Sequence, residues 1–111
     1  MGKGNYLGAF EQMVLFALMR LGDDAYGMKI RREIVSRTAR DVAIGAVYAT
    51  LDRLEEKGLV SSHDASEGDE DRDGNGRRFF RIEAPGIAAA NESWKATRAM
   101  TRGLKPLRGD V

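Results

Sequence analysis

The chain has 111 residues, a formal net charge of +1, 42% hydrophobic and 32% charged residues, no cysteine and one histidine. This is room for one domain and too apolar for a disordered chain; the absence of thiols excludes disulfides, thiol catalysis and thiolate metal sites, and His63 alone cannot build a zinc site. The balanced total hides an uneven spread, with nine basic and eight acidic groups in residues 1–60, four and seven in 61–84, and five and two in 85–111, so any nucleic-acid site has to rest on local placement.

The start, MGKGNY, offers the glycine of a myristoylation signal but has Tyr6 where Ser or Thr is needed. The longest apolar run, MVLFALM at 13–19, is far short of the roughly 20 residues that cross a bilayer, and no signal segment precedes it. The expected location is the cytoplasm.

Phe10, Met13, Val14, Ala17, Leu18 and Leu21 follow the spacing of a helix over about 7–21. Leu15, Phe16 and Met19 make its other side apolar too, so the helix needs cover on two faces, one of them from a second helix. Gly22 ends it, and Asp23 or Asp24 can cap the next. That second helix spans about 25–39, with Tyr26, Ile30 and Ile34 as its stripe and Arg31, Arg32, Arg37 and Arg40 outward, either a solvated face or a phosphate-facing rim. The third spans about 44–57. Ile44, Val47, Leu51 and Leu54 form its buried stripe, Gly45, Ala49, Arg53 and Glu56 point away, and Ala46 and Tyr48 lie on the flanks. Gly58 suits the left-handed residue just past its end.

The period then changes. LVSSHD at 59–64 and RRFFRIE at 77–83 read as paired strands, the second with Phe79 and Arg81 on one face and Phe80 and Ile82 on the other. Between them DASEGDEDRDGNG, with six acids, reads as a hairpin loop. Asp69, Asp71, Asp73 and Gly74 imitate the first half of a calcium loop, but the twelfth position, which needs Glu, is Phe80; no metal or cofactor is expected. From Ala84 to Gly103 helical character returns, with Pro85 in an early helical position and Pro106 beyond the end. Ile87, Ala90, Trp94, Thr97, Thr101 and Leu104 recur at steps of three and four, a seam that asks for a partner helix.

The expected fold is mainly α with a small β-hairpin: a winged helix-turn-helix over 1–84 and a C-terminal dimerisation helix and tail over 85–111. AYGMKI at 25–30, IGAVYATLDRLEEKGLV at 44–60 and GRRFFRI at 76–82 resemble the PadR family of bacterial transcriptional regulators. The resemblance covers roughly 7–103. It departs from the family's pattern at DVAIG, where a Ser is common before the third helix, at Asp52, where a basic residue is common, and in the long acidic wing.

A low outer face flanked by Tyr and Arg suits entry into the major groove. On periodicity alone two readings stay open: Tyr48 and Arg53 contact DNA, or Tyr48 packs under the second helix and Arg53 pairs with Asp52 or Glu56. The resemblance favours DNA contact by Gly45, Ala46, Tyr48, Ala49 and Arg53; the wing residues Arg77 and Arg78 either reach phosphate or the minor groove, as in such folds, or are solvated charges at the strand end. It implies a DNA-binding regulator, expected to be a repressor, on a two-fold operator. It also implies a homodimer, whose interface would take Phe16, Met19, Ile87, Ala90, Trp94, Thr97 and Thr101; there Trp94 either simply plugs the interface or, with Phe16, borders a site for a small aromatic effector. No catalytic constellation is present. The competing function is a winged-helix protein–protein adaptor with little DNA affinity, which Asp52 and the acidic wing would suit.

Overall fold

The first helix, α1, runs Ala9–Leu21 in the computed structural model, which describes residues 6–64 and 78–105. Val14, Leu15, Ala17 and Leu18 are all buried, so α1 is enclosed on adjoining sides and lies at the centre of the core. Its N-terminus is closed by Glu11, whose Oε1 accepts the Gly8 amide at 2.9 Å; an acid there also complements the helix dipole.

Gly22–Asp24 form one turn of 3-10 helix, and Ala25–Tyr26 a two-residue strand, β1. This strand is absent from the sequence expectation, which began the second helix at 25. The helix, α2, in fact runs Gly27–Thr38 and has Tyr26 as its cap residue, without a side-chain bond. Tertiary pairing explains the difference: Ala25 and Tyr26 are drawn into register with Phe80 and Phe79. Two residues are too few to carry a period. Asp24 consequently pairs with Lys29 instead of capping.

The turn between α2 and the third helix, α3 (Ile44–Glu56), is fixed from behind. Ala39 adopts a left-handed conformation at φ +60°. Arg31 donates through Nε to the Val42 carbonyl at 2.6 Å and through Nη2 to Asp41 at 3.4 Å. One of the outward arginines is therefore a clamp on the turn. Ala43 precedes α3 with no capping side chain, as DVAIG requires. Val47, Thr50, Leu51 and Leu54 bury the inner face, and Gly58 takes the left-handed position after the helix at φ +78°.

Strands β2 (Val60–Asp64) and β3 (Arg78–Ile82) pair antiparallel, and β1 on the far side of β3 completes a sheet ordered β1-β3-β2. Phe80 and Val60 are buried beneath it. The acidic segment, with Asp69, Asp71, Asp73, Gly74 and Arg77, lies outside the described residues, as does Pro106.

The last helix, α4 (Ala84–Thr101), stops two residues before the expected end. Gly86 seats it. A Cβ at Gly86 would collide with the Leu59 carbonyl oxygen, the same oxygen that accepts the Glu83 amide at 2.9 Å. Ala90, expected in the dimer seam, is a correction: it is fully buried against its own chain's core, because α4 turns that position inward to dock on the body. Past Ala90 the helix is open, with Trp94 51% exposed. The architecture is a winged helix, mainly helical, with a terminal helix; among the described residues no helix is long and apolar enough to cross a membrane.

Candidate nucleic-acid interface

The outer face of α3 carries Gly45, Ala46 and Ala49, all exposed and none larger than a methyl group. Around Gly45 even an added Cβ would meet no atom within 4 Å. The small face expected from the sequence is thus exposed, and at Gly45 it is free of neighbours among the described residues.

Tyr48 packs at the start of α2, as one of the two readings left open by periodicity had it. Its ring lies against Gly27 at the start of α2, where a Cβ would overlap the ring, and its centroid is 6.5 Å from that of Phe80. It nevertheless stays 39% exposed, so the phenol edge reaches solvent beside the small residues. Only glycine at position 27 lets the ring sit this deep.

Arg53 pairs with neither Asp52 nor Glu56. Its Nη2 donates to Thr50 Oγ1 at 3.1 Å, and its Nε lies 3.8 Å from Glu11 Oε2. Lys57 joins the same carboxylate, with Nζ at 2.9 Å from Oε2 and 3.2 Å from Oε1. Burial pushes the Glu11 carboxyl up. The Gly8 amide, the Lys57 hydrogen bond and charge, and the Arg53 charge together outweigh it and hold the group below the ordinary carboxylate range. One buried anion therefore faces two cations at the C-terminal half of α3, and the cluster keeps a net positive charge. Sequence reasoning missed Glu11 and Lys57. Glu11 carried a signal, an acid in the first turn of a helix otherwise apolar nearly all round; Lys57, 46 positions away, carried none.

The wing supplies Arg78, where β3 begins. Its Nη2 donates to Glu55 Oε1 at 2.8 Å, its Nη1 lies 3.7 Å from Asp52 Oδ1, and the guanidinium sits over the Phe80 ring at 4.9 Å from the centroid. Since Asp52 and Glu55 belong to α3, Arg78 stands against that helix rather than apart from it. Arg77 lies outside the described residues.

The residues expected at a dimer interface fall on two helices that come together. Phe16 and Met19 of α1 and Trp94 of α4 line one cavity of about 490 Å³, with Met13, Ile34 and Asn91. Arg98 lies over Trp94 at 5.7 Å. Ile87 is exposed, and Thr101 is turned back onto its own helix, its hydroxyl donating to the Thr97 carbonyl at 2.9 Å. Among the described residues no group of three or more His, Asp or Glu side chains is placed to hold a metal ion.

The transcriptional regulator PadR-like family model matches residues 14–92 of the chain. Among solved structures, a PadR family transcription regulator from hypervirulent Clostridium difficile R20291 aligns with a TM-score of 0.75 at 20% identity, covering 90% of this chain and 98% of its own. A PadR-like transcriptional regulator from Bacillus cereus strain ATCC 14579 aligns with a TM-score of 0.71 at 19% identity, covering 90% and 91%. A PadR family transcriptional regulator from Eggerthella lenta DSM 2243 gives 0.67 at 20% identity, covering 90% and 84%. At these identities the structural likeness speaks for the fold. No curated protein sequence matches the chain.

Proposed function

The chain belongs to the PadR-like family of DNA-binding transcriptional regulators, and from that premise we propose that it is a cytoplasmic repressor whose homodimer lays α3 of each subunit in the major groove of a two-fold operator. The observation that carries the reading is the outer face of α3: three small exposed residues, a half-buried Tyr48 held at its edge by Gly27, and Arg53 and Lys57 gathered at its far end by Glu11. A helix with such a face can approach base edges closely while cations at its border meet phosphate.

The homodimer is supported by what α1 and α4 leave uncovered. Met19, Ile87 and Trp94 are exposed apolar side chains, and Phe16 borders the same cavity as Met19 and Trp94. A second copy would cover them through a two-fold contact, with residues 85–111 acting as the dimerisation unit and 1–84 as the reading unit. A planar aromatic effector of modest size fits a cavity of about 490 Å³ walled by Phe16 and Trp94, and its entry would release the operator.

The test is fluorescence anisotropy with the duplex upstream of the chain's own gene and a random duplex. Arg53→Ala and Tyr48→Phe are expected to weaken binding to both, with the Arg53 variant flattening the salt slope by about one unit. Unchanged affinity when both substitutions are combined would turn the assignment to a protein–protein adaptor.

A further inference from the structure

Arg78, at the start of the second wing strand, is already engaged inside the chain. Arg78 meets Glu55 at 2.8 Å and Asp52 at 3.7 Å, two carboxylates arranged around one guanidinium much as two phosphate oxygens would be. The two acids are not equivalent. Glu55 is partly buried and also accepts the Ser62 hydroxyl of β2 at 2.9 Å, so it ties α3 to the hairpin. Asp52 lies on the outer side, its side chain 64% exposed, and its contact with Arg78 is the longer one. Stacking on Phe80 keeps the guanidinium in place whether or not Asp52 holds it. A single carboxylate would neutralise Arg78; the second leaves the cluster with a net charge of minus one.

We propose that Asp52 is a specificity-determining residue, an internal stand-in for phosphate that withholds Arg78 from DNA unless the backbone comes close enough to displace it. The proposal rests on the reading of α3 and the wing as the DNA-binding surface. A correctly seated operator brings phosphate to the wing through the contacts of α3 and exchanges one anion for another. Non-specific DNA, held loosely and at a distance, does not displace a carboxylate already in contact. Asp52 therefore lowers non-specific affinity more than operator affinity, at little cost to the fold, because an exposed ion pair of this length contributes little stability.

The experiment uses the full chain in four forms: wild type, Asp52→Asn, Arg78→Ala and the double variant, each titrated with the upstream duplex and a random duplex over a range of salt. Asp52→Asn is expected to raise affinity for random DNA roughly three- to ten-fold at low salt and to steepen the salt slope by about one unit, since one more cation then releases counterions. The operator-to-random ratio falls. In the Arg78→Ala background the same substitution is expected to recover less than half of that gain. An equal gain in both backgrounds would mean that Asp52 merely repels DNA, and no gain at all would mean that it withholds nothing; either overturns the proposal. Arginine side-chain NMR supplies a readout without DNA: the Arg78 Nε–Hε resonance must move when Asp52 is neutralised, and an unmoved resonance overturns the proposal as well. Failure of wild type and Asp52→Asn alike to bind any duplex, with the resonance shifting, would instead sink the DNA-binding reading on which the proposal stands.

Discussion

Glu11 shows how much one buried charge can organise. Three groups converge on it, and its carboxyl is held below the ordinary range despite burial. A depressed folded pKa means that its stabilisation is complete above the ordinary carboxylate titration near pH 4.3 and is lost as the pH falls through the lower folded value. Glu11→Gln keeps an acceptor for the Gly8 amide but gives up the charge, and should cost about 1–2 kcal/mol at neutral pH. Thermal unfolding of both proteins between pH 7 and pH 3 checks this: the two stability curves should draw together in acid. Gly27 makes the opposite kind of demand, for absence. An Ala there would push into the Tyr48 ring. The ring is the far end of a rotatable side chain, so Gly27→Ala should leave the far-ultraviolet circular dichroism intact, lower stability by about 1 kcal/mol, and weaken DNA binding more than Tyr48→Phe does.

At the scale of elements, four helices and two strands were legible because each repeats its apolar residues over several turns or alternates them over several positions. What escaped had no such repeat. β1 consists of two residues whose strand character comes from Phe79 and Phe80, more than fifty positions away. The caps followed suit: with Ala25 and Tyr26 spent on the sheet, the two aspartates fell outside the helix they were expected to start. In the site, the small face of α3 was readable from spacing alone, whereas the partners of Arg53 and Arg78 were not, since Glu11 lies in another helix and Glu55 meets Arg78 only once the hairpin folds back. Two glycines separate packing from access. Gly86→Ala would drive a methyl into the Leu59 carbonyl and unseat α4, and should cost about 2–3 kcal/mol in urea unfolding. Gly45→Ala meets empty space; it should stabilise α3 by about 0.5–1 kcal/mol while reducing DNA affinity if the flat surface matters for groove entry.

For the whole molecule, the uncovered half of α4 is the feature that a monomer does not explain. Trp94 is 51% and Met100 77% exposed on a helix whose first half is docked. A chain of this size leaves much of its apolar surface to be covered by association. Light scattering at micromolar concentration should give twice the chain mass, and Trp94→Glu should reduce it to the monomer without loss of helicity. Trp94 is the only tryptophan, so its fluorescence should be quenched with saturation by planar aromatic compounds that enter the cavity; a quench that only grows linearly with concentration would remove the effector from the scheme. The same helix that borders this cavity at Met19 carries Glu11 near its other end, eight positions earlier. At 1.5 Å per residue that is a lever arm of about 12 Å. Pivoting the rod by about 5° around Met19 sweeps the Glu11 carboxylate through about 1 Å. Added along the line of the 2.9 Å Lys57 bond, that travel would carry the pair past hydrogen-bond reach, and because Val14 and Leu15 lie fully buried on the same rod, the core would have to shift with it.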